Sequence, residues 1–115
     1  MELKVETLES NIPLIHLFGR LDIDGVQAID LKFTAYTSSK KQSVIVDLSQ
    51  VTFVGSIGIR LLLSNAHALR AEGAGMILLK PQSNVEDVLK LAALDSIMPI
   101  AHNMEEAIKL VRSPA

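Results

Sequence analysis

A chain of 115 residues, 49% of them hydrophobic, carries one domain's worth of material and enough apolar side chains to build a core without metals or disulfides. Its 11 basic and 13 acidic residues leave a net charge of −2 and form no basic stripe, which argues against nucleic acid as a partner. Cysteine is absent, which excludes a disulfide framework and thiolate chemistry, and with aromatics at 3% the core must come from Leu, Ile, Val and Ala, as in helix-on-sheet α/β packing.

Taken in chain order, residues 2–8 alternate Leu3 and Val5 with Lys4 and Glu6, the period-2 pattern of a half-exposed strand. The polar turn Glu9-Ser10-Asn11 leads to a second strand, Ile12 to Phe18, so residues 1–18 read as an N-terminal β-hairpin; Pro13 predicts an edge position or a bulge. Gly19 to Asp24 reads as a turn carrying two acids. Val26, Ile29, Phe33 and Tyr36 then recur at helical spacing, with Asp22 or Asp24 available as the cap.

The β-branched run Val44-Ile45-Val46-Asp47-Leu48 predicts a buried central strand. Beyond Ser49 to Val54 the chain turns at Gly55-Ser56-Ile57-Gly58 into a helix expected to bury Ile59, Leu62, Leu63, Ala66 and Leu69 and to expose Arg60, Asn65 and His67. Gly73 and Gly75 stop it, and Met76 to Leu79 forms another buried strand. Ser83 and Glu86 have capping-box spacing before a third helix, a short extended piece lies near Met98-Pro99-Ile100, and Asn103 with Glu106 opens a last helix. Residues 112–115 read as a frayed tail. The sum is a single α/β domain over residues 1–115, with the hairpin leading into a mixed, mostly parallel sheet of four to five strands packed against about four helices.

The first six residues, Met1-Glu2-Leu3-Lys4-Val5-Glu6, place charges where an export signal needs an unbroken apolar stretch. The longest nearly apolar stretch, Ile57 to Leu63, contains Arg60 and falls far short of the roughly 20 residues that span a bilayer. A cytoplasmic protein with no direct membrane insertion is the expectation. His16, His67 and His102 show none of the short spacings of a metal site, so no metal is expected, and no cofactor motif is present. Val54-Gly55-Ser56-Ile57-Gly58 invites comparison with the nucleophile elbow Gly-x-Ser-x-Gly, but Val54 stands where the first glycine belongs and no acid–histidine pair follows; no enzyme is expected.

Ser56 has two readings. A serine ahead of an amphipathic helix can serve as its N-cap. The flanking glycines also leave little bulk around the hydroxyl, so that another protein's active site can reach it. A phosphate placed there adds about −1.5 to −2 charges at the positive end of a helix dipole, where the fold tolerates an anion while the surface changes for any docking partner.

Gly19-x-Leu21-Asp22, Asp47-Leu48-Ser49, Phe53-Val54-Gly55-Ser56-Ile57-Gly58-Ile59 and Gly73-Ala74-Gly75-Met76, in that order and spacing, resemble the STAS domain of bacterial anti-sigma-factor antagonists. The resemblance spans essentially the whole chain and implies partner switching. The unphosphorylated protein binds an anti-sigma factor that is often itself a serine kinase, phosphorylation of a serine in the strand-to-helix turn breaks the complex, and a cognate phosphatase restores it. The family motif, usually Asp-Ser-Ser/Ala-Gly, places the acceptor at Ser56. Asp22 matches an acid in the loop after the second strand that contributes to partner binding, its alternative role being the helix cap.

The expected contact surface is Asp22, Ile23, Asp24, Gly55, Ser56, Ile57, Gly58 and Arg60, on a monomer or weak dimer. The acid that usually precedes the acceptor is Gly55 here and the small residue that usually follows is Ile57, which removes a negative charge beside the hydroxyl and adds an apolar contact. Two alternatives stand beside switching. One is a non-switching STAS scaffold or accessory subunit, in a stress-sensing assembly or a lipid-transport complex; the other is a small-ligand sensor, for which the sequence offers no phosphate loop.

Overall fold

A computed structural model describes residues 1–112. Strands β1 (Glu2–Thr7) and β2 (Pro13–Leu21) form the antiparallel hairpin, with Lys4 opposite His16 and Val5 opposite Ile15. They continue into β3 (Val44–Val54), β4 (Met76–Leu79) and β5 (Ile100–Ala101), each parallel to its predecessor, in the spatial order β1-β2-β3-β4-β5. The β-branched run at Val44 does lie mid-sheet. Three α-helices join the parallel strands, α1 (Ile23–Tyr36), α2 (Ser56–Ala71) and α3 (Ser83–Leu91), and a fourth among the described residues, α4 (Met104–Arg112), follows β5. Arg112 is thus the last residue of a helix rather than the start of a frayed tail, and residues 113–115 lie outside the described residues.

Strand alternation sorts the core into two layers. Leu3, Ile15, Leu17, Val44, Val46, Leu48, Met76 and Leu78 point to one side, where they meet Val26, Ile29 and Phe33 of α1, Leu62, Ala66 and Leu69 of α2, and Val85 and Leu89 of α3. Leu14, Ile45, Ile77, Leu79 and Ala101 point to the other, where Ala107 of α4 covers them. Each large side chain fully withdrawn from water on these layers contributes about 1.5–3 kcal/mol before the cost of ordering the chain.

Several elements depart from the sequence pattern for identifiable reasons. Pro13 neither marks an edge nor interrupts a ladder, because it opens β2, an interior strand, at its first residue, where a missing amide is tolerated. Gly19, Arg20 and Leu21 belong to β2 instead of a turn. Pairing with the far half of β3 holds them extended, Arg20 opposite Phe53 and Leu21 opposite Val54, with ladder irregularities between His16 and Phe18 and between Gly19 and Arg20.

Asn65 is buried, not exposed, because α2 packs on α1 as well as on the sheet. Its side chain accepts from the Thr37 hydroxyl at 2.7 Å and donates to the Leu61 carbonyl at 3.0 Å. Leu61 is buried too, while Ile59 and Leu63 are half-buried. Gln82, not Ser83, occupies the cap position of α3, so the Ser83–Glu86 capping box does not form; Glu86 instead pairs with Lys90 and His102. At α4 the expected cap is present, the Glu106 amide donating to Asn103 Oδ1 at 2.8 Å. The short last strand falls at Ile100–Ala101, just past Met98, which is buried.

His16 lies on the α4 side of the sheet, between Asp47 Oδ2 at 2.7 Å and Glu6 Oε1 at 3.0 Å, tying the three strands β1, β2 and β3 together. Burial alone would lower its pKa, but the two carboxylates outweigh burial and raise it. Burial would likewise raise Asp47; the Ser49 amide and His16 overcome it and hold the carboxyl low.

Candidate functional site: the paired helix starts at the end of β2

The end of β2 positions two helix N-termini side by side. Directly after Leu21, Asp22 takes an extended conformation and caps α1, its Oδ1 accepting from the Gly25 amide at 2.9 Å. That bond, aided by Arg20 at 3.2 Å, keeps the Asp22 carboxyl below its ordinary pKa. The structure therefore shows Asp22, rather than Asp24, as the cap. The Leu21 carbonyl meanwhile accepts from the Gly55 amide at 3.0 Å, which docks the start of α2 against the same strand end.

Two glycines make this approach possible. A Cβ on Gly25 would overlap the Arg20 carbonyl oxygen, and a Cβ on Gly58 would lie 2.7 Å from Leu21 Cβ and 2.8 Å from its carbonyl oxygen. Neither position has room for a larger residue, since the obstructing atoms are mostly backbone.

The two starts differ in what they leave open. At α2 the cap residue is Gly55, which has no side chain to offer, and Ser56 is the first helical residue, not the N-cap. The amides of Ser56, Ile57 and Gly58 then fall in the first turn, where a helix supplies no carbonyl of its own. Ser56 is exposed. Ile57 is half-buried against the core and Gly58 is buried. Arg60, exposed and four residues on, shares the side of the helix that carries Ser56.

On the α1 side Ile23 is 62% exposed and Asp24 is exposed beside it. The fold thus brings Asp22 and Gly55–Gly58 to one strand end, with Ile23 and Asp24 following on α1 and Arg60 one turn into α2.

One feature was not visible in the sequence. The Arg20 guanidinium stacks on the Phe53 ring at 4.3 Å from its centroid, and the ring, 37% exposed, leans over Gly55 so that a Cβ there would meet Phe53 Cε2 at 3.2 Å. Only the β2–β3 register reveals this pair, because Arg20 and Phe53 are cross-strand partners. The surface flanking Ser56 therefore presents a cation on an aromatic ring, an arrangement with favourable electrostatics of its own.

No group of three or more His, Cys, Asp or Glu among the described residues is placed to hold a metal ion, and no described helix is long and apolar enough to cross a membrane.

An α/β domain with an antiparallel hairpin feeding a parallel sheet, and a serine on the glycine-flanked turn after its central strand, defines a recognisable class. The STAS domain family model matches residues 3–107, and the chain belongs to that family. Within it, the chain is 30% identical over 113 residues to the anti-sigma F factor antagonist of Lysinibacillus sphaericus, covering 97% of this chain and 96% of that protein. The structure of the anti-sigma factor antagonist SpoIIAA in its unphosphorylated form superposes with a TM-score of 0.77 at 29% identity, covering 96% of both chains. The phosphorylated form of SpoIIAA, a Bacillus cell fate determinant, superposes with a TM-score of 0.71 at 28% identity, covering 96% of this chain and all (100%) of that one. The chain therefore stands among the anti-sigma-factor antagonists.

Proposed function

We propose that this protein is an anti-sigma-factor antagonist that works by partner switching in the cytoplasm, with Ser56 as its phosphoacceptor. Unphosphorylated, it binds an anti-sigma factor with serine kinase activity through Asp22, Ile23, Asp24, Gly55, Ser56, Ile57, Gly58 and Arg60. Phosphorylation of Ser56 releases the partner, and a phosphatase resets the protein. It is a regulator and not an enzyme.

The observation that carries this reading is the uncapped start of α2. Ser56 is exposed at the first helical position, with Gly55 leaving the first-turn amides without a side-chain acceptor. A phosphate on that hydroxyl meets the positive end of the helix dipole and those amides, so modification does not oppose the fold. For a partner docked over the same turn, roughly two added negative charges change the contact from complementary to repulsive wherever it presents acids. The similarity to an antagonist whose structure is known in both phosphorylation states supports the same mechanism.

Incubation with a cognate anti-sigma kinase and ATP, read by intact mass, tests the acceptor. A single phosphate adduct on wild type and none on Ser56→Ala is expected. An unmodified wild type that still binds the kinase would instead favour a constitutive scaffold, in which Gly55 and the overlying Phe53 ring have changed what the kinase meets beside the hydroxyl.

A further inference from the structure

The opposite end of the sheet carries a cavity of about 400 Å³, within the range of small-molecule sites. Three of its lining residues, Ser43, Gly75 and Pro99, immediately precede β3, β4 and β5, so it opens at the N-terminal ends of three parallel strands, whereas Ser56 follows the C-terminal end of β3. Its apolar wall includes Ile77 from the sheet, Ile97 from the segment before β5, and Leu110 and Val111 from the last turn of α4.

The polar groups in the lining are unbalanced in one direction. Arg70 is the one charged residue there, and no salt bridge found among the described residues involves it. The Ser43 hydroxyl accepts from the Gly75 amide at 3.0 Å, which leaves its own proton to donate. The Ser96 hydroxyl is already engaged, donating to the Ala93 carbonyl at 2.8 Å. An apolar chamber offering a guanidinium and a hydroxyl proton, with no carboxylate among its described lining residues, fits a ligand that is apolar along its body and anionic at its head.

From this arrangement we infer that the cavity binds a medium-chain carboxylate, its alkyl chain against Ile77, Ile97, Leu110 and Val111 and its head at Arg70 and Ser43. The site is separate from the Ser56 turn and does not depend on phosphorylation there.

Gly75 supplies the means to test it. A Cβ at Gly75 meets no atom within 4 Å, and its backbone is not in the left-handed region, so Gly75→Leu starts its side chain without a clash at a position that lines the cavity. The full chain, labelled with nitrogen-15, is titrated with decanoate, octanoate and decylammonium below their micelle concentrations and followed by amide shifts. Decanoate is expected to give saturable shifts centred on Gly75, Ile97 and Leu110, to bind about tenfold more tightly than octanoate, and to leave the Ser56 turn unmoved. Gly75→Leu abolishes these shifts while keeping the wild-type melting temperature. Arg70→Gln, an exposed change with no folding penalty expected, weakens decanoate about tenfold. The inference is overturned by an absence of saturable shifts, by decylammonium binding as well as decanoate, or by Arg70→Gln binding decanoate like wild type.

Discussion

The two helix starts at the end of β2 are built from the same parts and finished differently. At α1 a carboxylate closes the first turn, Asp22 accepting from Gly25, and Arg20 neutralises it. At α2 a glycine stands in the cap position and a serine follows. Both need a glycine at the point of closest approach, Gly25 against the Arg20 carbonyl and Gly58 against Leu21, and the Gly25 seat is the tighter of the two. The contrast separates two tasks that an N-terminal residue can perform. The α1 start is satisfied from within and holds the frame; the α2 start has no side-chain cap, and in the function proposed above it receives a phosphate on Ser56 that the seat at Gly58 accommodates without disturbing the fold.

The largest effect expected from breaking this pair is at the seats. Gly25→Ala drives a methyl into the Arg20 carbonyl, and because the obstacle is backbone the strand end must move; a loss of about 3 kcal/mol is expected. Urea unfolding with an unchanged m-value would register it as a lower midpoint. A loss below a few tenths of a kcal/mol would mean the α1 start is not held by contact with β2.

A smaller effect belongs to the cap. Asp22→Ala leaves the Gly25 amide without its acceptor and should lower the melting temperature by about 4 °C at neutral pH. Because the native pKa of Asp22 is depressed, its contribution is fully present above the unfolded value of 3.8 and disappears as pH falls through the lower native value. The melting curves of wild type and variant should therefore converge in acid, and a difference that persists there would assign the effect to something other than the charged cap. Smallest of all, Gly55→Asp gives α2 the kind of cap that α1 already has. A gain of about 0.3 kcal/mol is expected if the Phe53 ring gives way by a few tenths of an ångström, since glycine is itself an acceptable cap.

Much of this architecture can be read from residue order. The Val44-Ile45-Val46 run announces a buried strand because β-branched residues on both faces suit only a covered position, and Gly73 marks the end of α2 because a positive φ is needed there, as its value of +73° bears out. What could not be read depends on partners distant in sequence. Gly19 to Leu21 resembles a turn until the far half of β3 is laid beside it. Asn65 looks like a surface residue until Thr37, at the C-terminal cap of α1, faces it.

The same limit applies at the site. The ordered motifs pointed to Ser56 and Asp22, and the structure places both at one strand end, but the difference of one residue between cap and first helical position depends on backbone angles at Gly55. The Arg20–Phe53 stack follows from strand register alone.

In the proposed mechanism the open start of α2 is a switchable contact. Its most direct test is the affinity of a purified cognate anti-sigma kinase for the wild-type chain before and after stoichiometric phosphorylation at Ser56, measured by calorimetry alongside the melting temperature of each form. Binding at least a hundredfold weaker after modification, about 2.7 kcal/mol, is expected, with the phosphorylated chain melting within a few degrees of the unmodified one. Equal affinity of both forms, or a phosphorylated chain that binds poorly only because it has unfolded, would contradict it.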